Sequence, residues 1–181
     1  MFIKIMPKIL EISRDQILDI TKRILQTEGY RKVSIRRVAT QSGIATGTLY
    51  RYFASKDDMI AQAIVTDWRV ALEKMPQVSQ NCTDFVQGIG EFYRLICTFM
   101  DAYRMAFAEF SQAGGALEAL TLRHRMLREQ LSAHIVALAR GAGRPELASH
   151  ADMIAESLLA TVNHADLGAD KLQNFMQLII Q

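Results

Sequence analysis

Apolar residues recur at three- and four-residue steps almost from one end of this chain to the other, and no stretch alternates apolar with polar residues as a half-buried strand must. A pattern of that period buries one face of a helix, so the chain is restricted to helix packed on helix. Half of the 181 residues are hydrophobic, 22% are charged and three are proline, which excludes a disordered tail, a collagen-like fibre and a proline-rich linker. No apolar run approaches the ~18 residues that a membrane helix requires. The opening Met1-Phe2-Ile3-Lys4-Ile5-Met6 is too short for a signal-peptide core and carries no small-residue cleavage site. Cys82 and Cys97 form neither a disulfide framework nor a CxxC pair. The expectation is a soluble, cytoplasmic, all-α protein of about nine helices with no membrane partner.

Stop and start signals divide the pattern. Ser13-Arg14-Asp15-Gln16 fits a capping box, and Ile17, Leu18, Thr21, Ile24 and Leu25 follow at helical spacing up to Gly29. Ser34 caps a short second helix with Ile35, Val38 and Ala39 inward, ended by Ser42-Gly43. A third runs from about Ala45 to Tyr52. Ser55 then caps a fourth helix with acidic residues in its first turn, where the helix dipole favours them. That helix is expected to stop before Pro76, leaving residues 77–83 as a linker. Beyond it come a helix with Phe85, Ile89, Phe92, Tyr93, Ile96 and Met100 as its stripe, a short piece over 101–112, and a long helix ending at Gly141. Pro145 is read as the first residue of a helix reaching Asn163, and a last helix follows Gly168.

The net charge of +2 conceals an asymmetry. Residues 1–60 carry eleven Lys or Arg against six Asp or Glu, a net of +5, and the remainder carries −3. Between Gly29 and Lys56, the cations Arg31, Lys32, Arg36, Arg37, Arg51 and Lys56 meet no acidic residue. Such a local excess marks either an anion-binding surface, most often for nucleic acid, or a plain solvated face.

The arrangement of the same stretch favours the first. Two short helices flank Ser42-Gly43-Ile44, a tight turn, which is the helix-turn-helix order whose second helix enters the major groove. Thr46 and Gly47 open that second helix with small side chains that let the backbone approach a duplex. Tyr50 and Arg51 share its exposed face, within reach of base edges or phosphates. Ser34, Thr48, Tyr52 and Lys56 are donors suited to phosphate oxygens, which fix register rather than sequence. Leu49 and Phe53 turn the other way and pack on the preceding helix.

Residues 13–60 resemble the DNA-binding domain of TetR-type transcriptional regulators. The matching residues are Gly29-Tyr30, Ser34, Val38-Ala39, Ser42-Gly43-Ile44, Gly47-Thr48-Leu49-Tyr50, Tyr52-Phe53 and Ser55-Lys56, in unbroken spacing. The resemblance implies that Arg36, Thr46, Gly47, Tyr50 and Arg51 face bases and that Ser34, Thr48, Tyr52 and Lys56 hold phosphates. It also implies two domains, a DNA-binding domain over 1–56 and an effector-binding and dimerisation domain over 57–181. Ala45 departs from the pattern, since family members commonly place Ser at the start of the recognition helix. Losing that cap costs about 0.5–2 kcal/mol.

The rest of the chain supplies apolar material for both implied roles. Trp68, Phe85, Phe92, Tyr93, Met100 and Phe107 are the expected lining of an effector pocket, with an ordinary core as the alternative. His124 and His134 share a stripe with leucines and read as polar anchors of that pocket, a pH-sensitive element, or satisfied core histidines. Ile154, Leu158, Phe175 and Ile179 on the last two helices are expected to meet their symmetry mates in a dimer, or else to cap the chain's own core. The spacings of histidine and cysteine hold no metal-ligand pattern, no cofactor motif occurs, and the nucleophile and phosphate-loop signatures of enzymes are missing. The reading is therefore a repressor released from a palindromic operator by a small apolar or amphipathic effector. A chromosome-organising protein on the same fold, without an effector, is the alternative.

Overall fold

The computed structural model describes residues 12–112, 117–162 and 169–180, and these contain nine α-helices and no strand. In chain order they are α1 (Arg14–Glu28), α2 (Ile35–Ser42), α3 (Thr46–Tyr52), α4 (Lys56–Asn81), α5 (Phe85–Ala102), α6 (Arg104–Gln112), α7 (Leu117–Gly141), α8 (Ala151–Val162) and α9 (Ala169–Ile180). The capping box of α1 forms in both directions: Ser13 Oγ accepts from the Gln16 N–H and Gln16 Oε1 accepts from the Ser13 N–H. All five stripe residues, Ile17, Leu18, Thr21, Ile24 and Leu25, are buried. Thr21 keeps its hydroxyl satisfied inside by donating to the Ile17 carbonyl at 2.9 Å.

Pro76 does not stop α4, which continues to Asn81 and absorbs most of the expected linker. Proline removes one helical hydrogen bond, but the next turns are held by burial. Met75 is fully buried, Val78 and Cys82 pack against the core, and Ser79 Oγ donates to the Met75 carbonyl. Pro145 likewise opens a 3₁₀ turn, Pro145–His150, and α8 begins only at Ala151.

α4 belongs to both ends of the molecule. Its first turns pack on α1, and its later turns pack on α5 and α7. α5 and α7 approach closely at Gly88, where an added Cβ would lie 2.5 Å from Leu138. The interior beyond α4 is aromatic: the Trp68 ring meets Phe99 edge-on at 5.3 Å, Phe99 meets Tyr103 at 5.4 Å, and Tyr103 meets Phe107 at 6.0 Å. α8 covers α7 and α5, and α9 lies on α5.

Candidate nucleic-acid interface

The reversal between α2 and α3 is made at Gly43, whose φ of +67° is strained for any residue with a Cβ. Its N–H closes α2 on the carbonyls of Ala39 and Thr40, and the Ile44 N–H bonds Ala39 as well. Ile35, Val38, Ala39, Leu49 and Phe53 all point inward and join the α1 residues in one core. With Leu49 and Phe53 sealed, α3 must present its other face. Tyr50 is 55% exposed, and Thr46, Gly47 and Arg51 are exposed beside it. Nothing of the chain lies within 4 Å of where a Gly47 Cβ would stand, so the fold itself does not require glycine there. No side chain caps α3 at Ala45, as the sequence predicts.

The two adjacent arginines of α2 separate cleanly. Arg37 donates to both oxygens of Glu28, at 3.0 and 2.5 Å, and its side chain reaches the Lys32 carbonyl. That pairing holds the Glu28 carboxyl below its ordinary range. Arg36 is exposed and makes no ion pair among the described residues, and the same is true of Arg51. Glu28 lies just outside the acid-free stretch, so its neutralising effect on Arg37 escapes a reading of that stretch alone.

The phosphate candidates are held to different degrees. Ser34 caps α2, its Oγ accepting from the Arg37 N–H at 3.2 Å, and its own hydroxyl hydrogen stays available to a phosphate. Thr48 is half-buried. The Tyr52 hydroxyl donates to the Ile12 carbonyl at 3.4 Å, a long bond that a phosphate would have to displace. The Lys56 ammonium lies 3.9 Å from the centre of the Tyr30 ring, and burial lowers its pKa from the usual value. Tyr30 in turn donates to Asp57 at 2.8 Å; burial and that bond push its phenol up to about 12.

Polar links through Asp67 and Glu109 tie α1–α3, the candidate reading head, to the rest of the molecule, and the sequence gives no sign of them because their partners stand 36 to 78 residues apart. Asp67 on α4 pairs with Lys22 at 2.9 Å and accepts from Gln26 at 3.1 Å and from the Tyr103 hydroxyl at 2.7 Å. Burial first, and the bond to Asp67 second, hold the Tyr103 phenol far above its ordinary pKa. Glu109 on α6 accepts the Arg31 backbone N–H at 2.8 Å and stands over Gly29, where an added Cβ would lie 2.7 Å from its Oε2.

Of the expected pocket residues, Trp68, Phe85, Phe92 and Tyr93 are buried in the core, while Met100 and Phe107 pack half-buried against it. Trp68 donates its indole N–H to Gln130 at 2.9 Å. His124 does not join them. It lies half-exposed on α7, with Nε2 2.9 Å from Glu156 of α8, whose carboxylate draws the ring outward. The expected dimer contacts also need correcting. Leu158 is wholly buried and Ile154 is 6% exposed, both against the chain's own core, so neither is open to a second subunit. The side chains of Phe175 and Ile179 lie outside the described residues. On α8 the outward apolar residue is Met153, 70% exposed.

Residues 17–63 match the family described as bacterial regulatory proteins, tetR family. The chain is similar to the HTH-type transcriptional repressor KstR of Rhodococcus jostii, 31% identical over 123 residues that span 61% of this chain and 58% of that one. It is 26% identical over 100 residues to the HTH-type transcriptional regulator HbdR of Aromatoleum sp., spanning 55% of this chain and 44% of that one. It therefore spans about half the length of the curated relatives it matches. Among solved structures, a transcriptional regulator of the TetR/AcrR family from Thermobifida fusca superposes with a TM-score of 0.58 at 18% identity, covering 92% of this chain and 95% of that one. That is a likeness of fold.

Proposed function

We propose, from the match of residues 17–63 to the tetR family and the similarity to KstR, that the chain is a ligand-responsive repressor of the TetR type that binds a palindromic operator as a homodimer. The carrying observation is the division of α3: Leu49 and Phe53 fix the helix from beneath, and Gly47, Tyr50 and Arg51 are left outward, with Arg36 likewise exposed on α2. In this reading Arg36, Thr46, Gly47, Tyr50 and Arg51 reach base edges, and Ser34, Thr48, Tyr52 and Lys56 hold phosphates. The open space at Gly47 lets a duplex approach the backbone.

Two recognition helices in a two-fold dimer meet half-sites ~34–36 Å apart. An effector held in the aromatic interior beyond α4 selects a dimer in which that spacing is wrong, and affinity falls. The links through Asp67 and Glu109 support such a coupling, because they join α1 and its following turn to α4 and α6. The α8 surface around Met153 replaces Ile154 and Leu158 as the proposed dimer face.

Fluorescence anisotropy with a labelled duplex from the gene's own upstream region tests the reading. Binding should weaken with salt at a log–log slope of about −0.9 per phosphate contact. Arg51→Ala should lower affinity for that duplex more than for unrelated DNA. Failure to bind any duplex at low salt would overturn the proposal.

A further inference from the structure

The six cations between Gly29 and Lys56 meet no acid along the sequence, but the fold brings one to them. Glu109 on α6 reaches back 78 residues to accept the Arg31 backbone N–H at 2.8 Å. Gly29 leaves room for it: an added Cβ would lie 2.7 Å from Oε2 and 3.1 Å from Oε1, so both carboxylate oxygens stand over the turn. Tyr30–Lys32 forms a 3₁₀ turn that leads from α1 to Ser34, and Arg31 and Lys32 are exposed on it. The Tyr30 ring of the same turn carries the Lys56 ammonium 3.9 Å from its centre. Lys56 is half-buried and makes no ion pair among the described residues, but the charges of Asp57 and Glu109 both act on it.

Hydrogen bonding alone does not call for a carboxylate at this place. The Arg31 N–H needs one acceptor, and the amide oxygen of a glutamine would serve it as well. What glutamate adds is a negative charge beside the turn that carries Arg31, Lys32 and the Tyr30 platform of Lys56. The other acids near these cations belong to the head or to its junction with α4. Glu28 of α1 is spent on Arg37, and Asp57, in the first turn of α4, accepts the Tyr30 hydroxyl. Glu109 comes to the head from α6 and sets a negative charge on the flank of a surface whose proposed partner is a polyanion.

Resting on the DNA-binding reading above, we propose that Glu109 is an internal counter-anion: it competes with backbone phosphate for the cations around Tyr30, Lys56 foremost, and so lowers the affinity of the head for every duplex. Charges that are partly exposed interact weakly, which sets the effect at about two- to fivefold in affinity. Because the competition is for phosphates and not for base edges, the effect is alike on specific and unrelated DNA. It also enters the salt dependence, which counts the phosphate charges that the protein neutralises.

The test uses the full chain in fluorescence anisotropy, on the labelled upstream duplex and on an unrelated one, with thermal denaturation alongside. Glu109→Gln keeps an acceptor for the Arg31 N–H and removes the charge. It should bind both duplexes about two- to fivefold more tightly at low salt, with a log–log salt slope steeper by up to about 0.9, one phosphate contact. Asp152→Asn makes the same change in net charge on α8, which packs on α5 and α7, and should leave affinity nearly unchanged. In a Lys56→Gln background the gain from Glu109→Gln should shrink, as coupled neighbours do. An equal gain from Asp152→Asn would reduce the effect to net charge and overturn the assignment, and so would a gain undiminished without Lys56. Affinity of Glu109→Gln at or below that of wild type would make Glu109 a structural brace and overturn the inference while the DNA reading stands. A wild type that binds neither duplex at low salt would overturn both.

Discussion

The reading head and the helices beyond α4 use polar residues in opposite ways. In α1–α3 the interior is aliphatic apart from Phe53 and Thr21, and the cations and hydroxyls stand outside. Beyond α4 the interior is aromatic and holds polar groups within it: Trp68 on Gln130, and Tyr103 on Asp67. The contrast sets what mutation can separate. In the head, the proposed binding face and the packing face lie on opposite sides of the seven-residue α3. In the second region the polar side chains are themselves part of the packing, since removing a buried hydrogen-bonding partner strands the other.

The largest effect tests that separation directly. Phe53→Ala deletes a side chain 1% exposed and should cost about 3–5 kcal/mol, melting the head. Tyr50→Ala and Arg51→Ala, on the other face, should stay within about 0.5 kcal/mol of wild type while losing operator affinity. Thermal denaturation alongside anisotropy on the upstream duplex reads both quantities. Equal destabilisation by all three would erase the distinction between the faces.

The same contrast appears across α8, one step smaller. Leu158→Ala should destabilise the protomer by about 2–5 kcal/mol, because Leu158 is wholly buried in its own core. Met153→Glu should leave the melting temperature of the protomer nearly unchanged and put like charges against each other in the proposed dimer. Light scattering would then give a mass near 20.4 kDa instead of twice that. A Met153→Glu protein that remains dimeric would move the interface off this face.

How much of this was legible in the sequence follows from the range of the interactions. The capping box at Ser13, the cap at Ser34, the turn at Gly43 and the inward set Ile35, Val38, Leu49 and Phe53 are local, and spacing alone predicts them. Pro76 misled because proline's local cost is visible in sequence, whereas the burial of Met75 and Val78 that outweighs it is tertiary. Ile154 and Leu158 misled for a related reason. An apolar stripe states that a face is covered, without stating whether α5 and α7 or a second subunit covers it. Arg37 and Arg36 are indistinguishable by type, and only the approach of Glu28 separates them. Asp67 and Glu109 gave no signal, being single acids whose partners are distant in the chain.

Within the second region, Tyr103 sharpens the claim that its polar groups carry stability. Tyr103→Phe removes a hydrogen bond to a carboxylate and should cost about 1.5–3 kcal/mol, with Asp67 still held by Lys22 and Gln26. The phenol's folded pKa is raised, so its contribution is fully present below the unfolded value of about 10 and is lost as pH rises beyond it. Wild type should therefore lose stability relative to Tyr103→Phe between about pH 9.5 and 11.5. Parallel curves for the two proteins would show that the bond contributes little.

The smallest effect concerns His134, and it separates the two regions by pH. All four histidines, His124, His134, His150 and His164, lie outside the head, and histidine is the side chain whose ordinary pKa falls between pH 5 and 8. Burial lowers the pKa of His134. Its folded form therefore binds a proton less readily than its unfolded form. The sign follows: stability is fully present above the unfolded value of about 6.5 and declines as pH falls below it, because protonation favours the unfolded chain. His134→Gln keeps a polar side chain without a titrating group, so the melting temperature of the variant should fall less than that of wild type between about pH 7.5 and 5.5. The carboxylates held low by arginine, Glu28 and Glu146, lose their contributions only below that window and do not mask the difference. Duplex affinity of the folded protein, measured over the same window, should change equally in wild type and variant, since His134 lies on α7, far along the chain from Arg36, Tyr50 and Arg51. A variant whose DNA affinity loses the wild-type pH response, at unchanged stability, would show that protonation of His134 is itself coupled to the head.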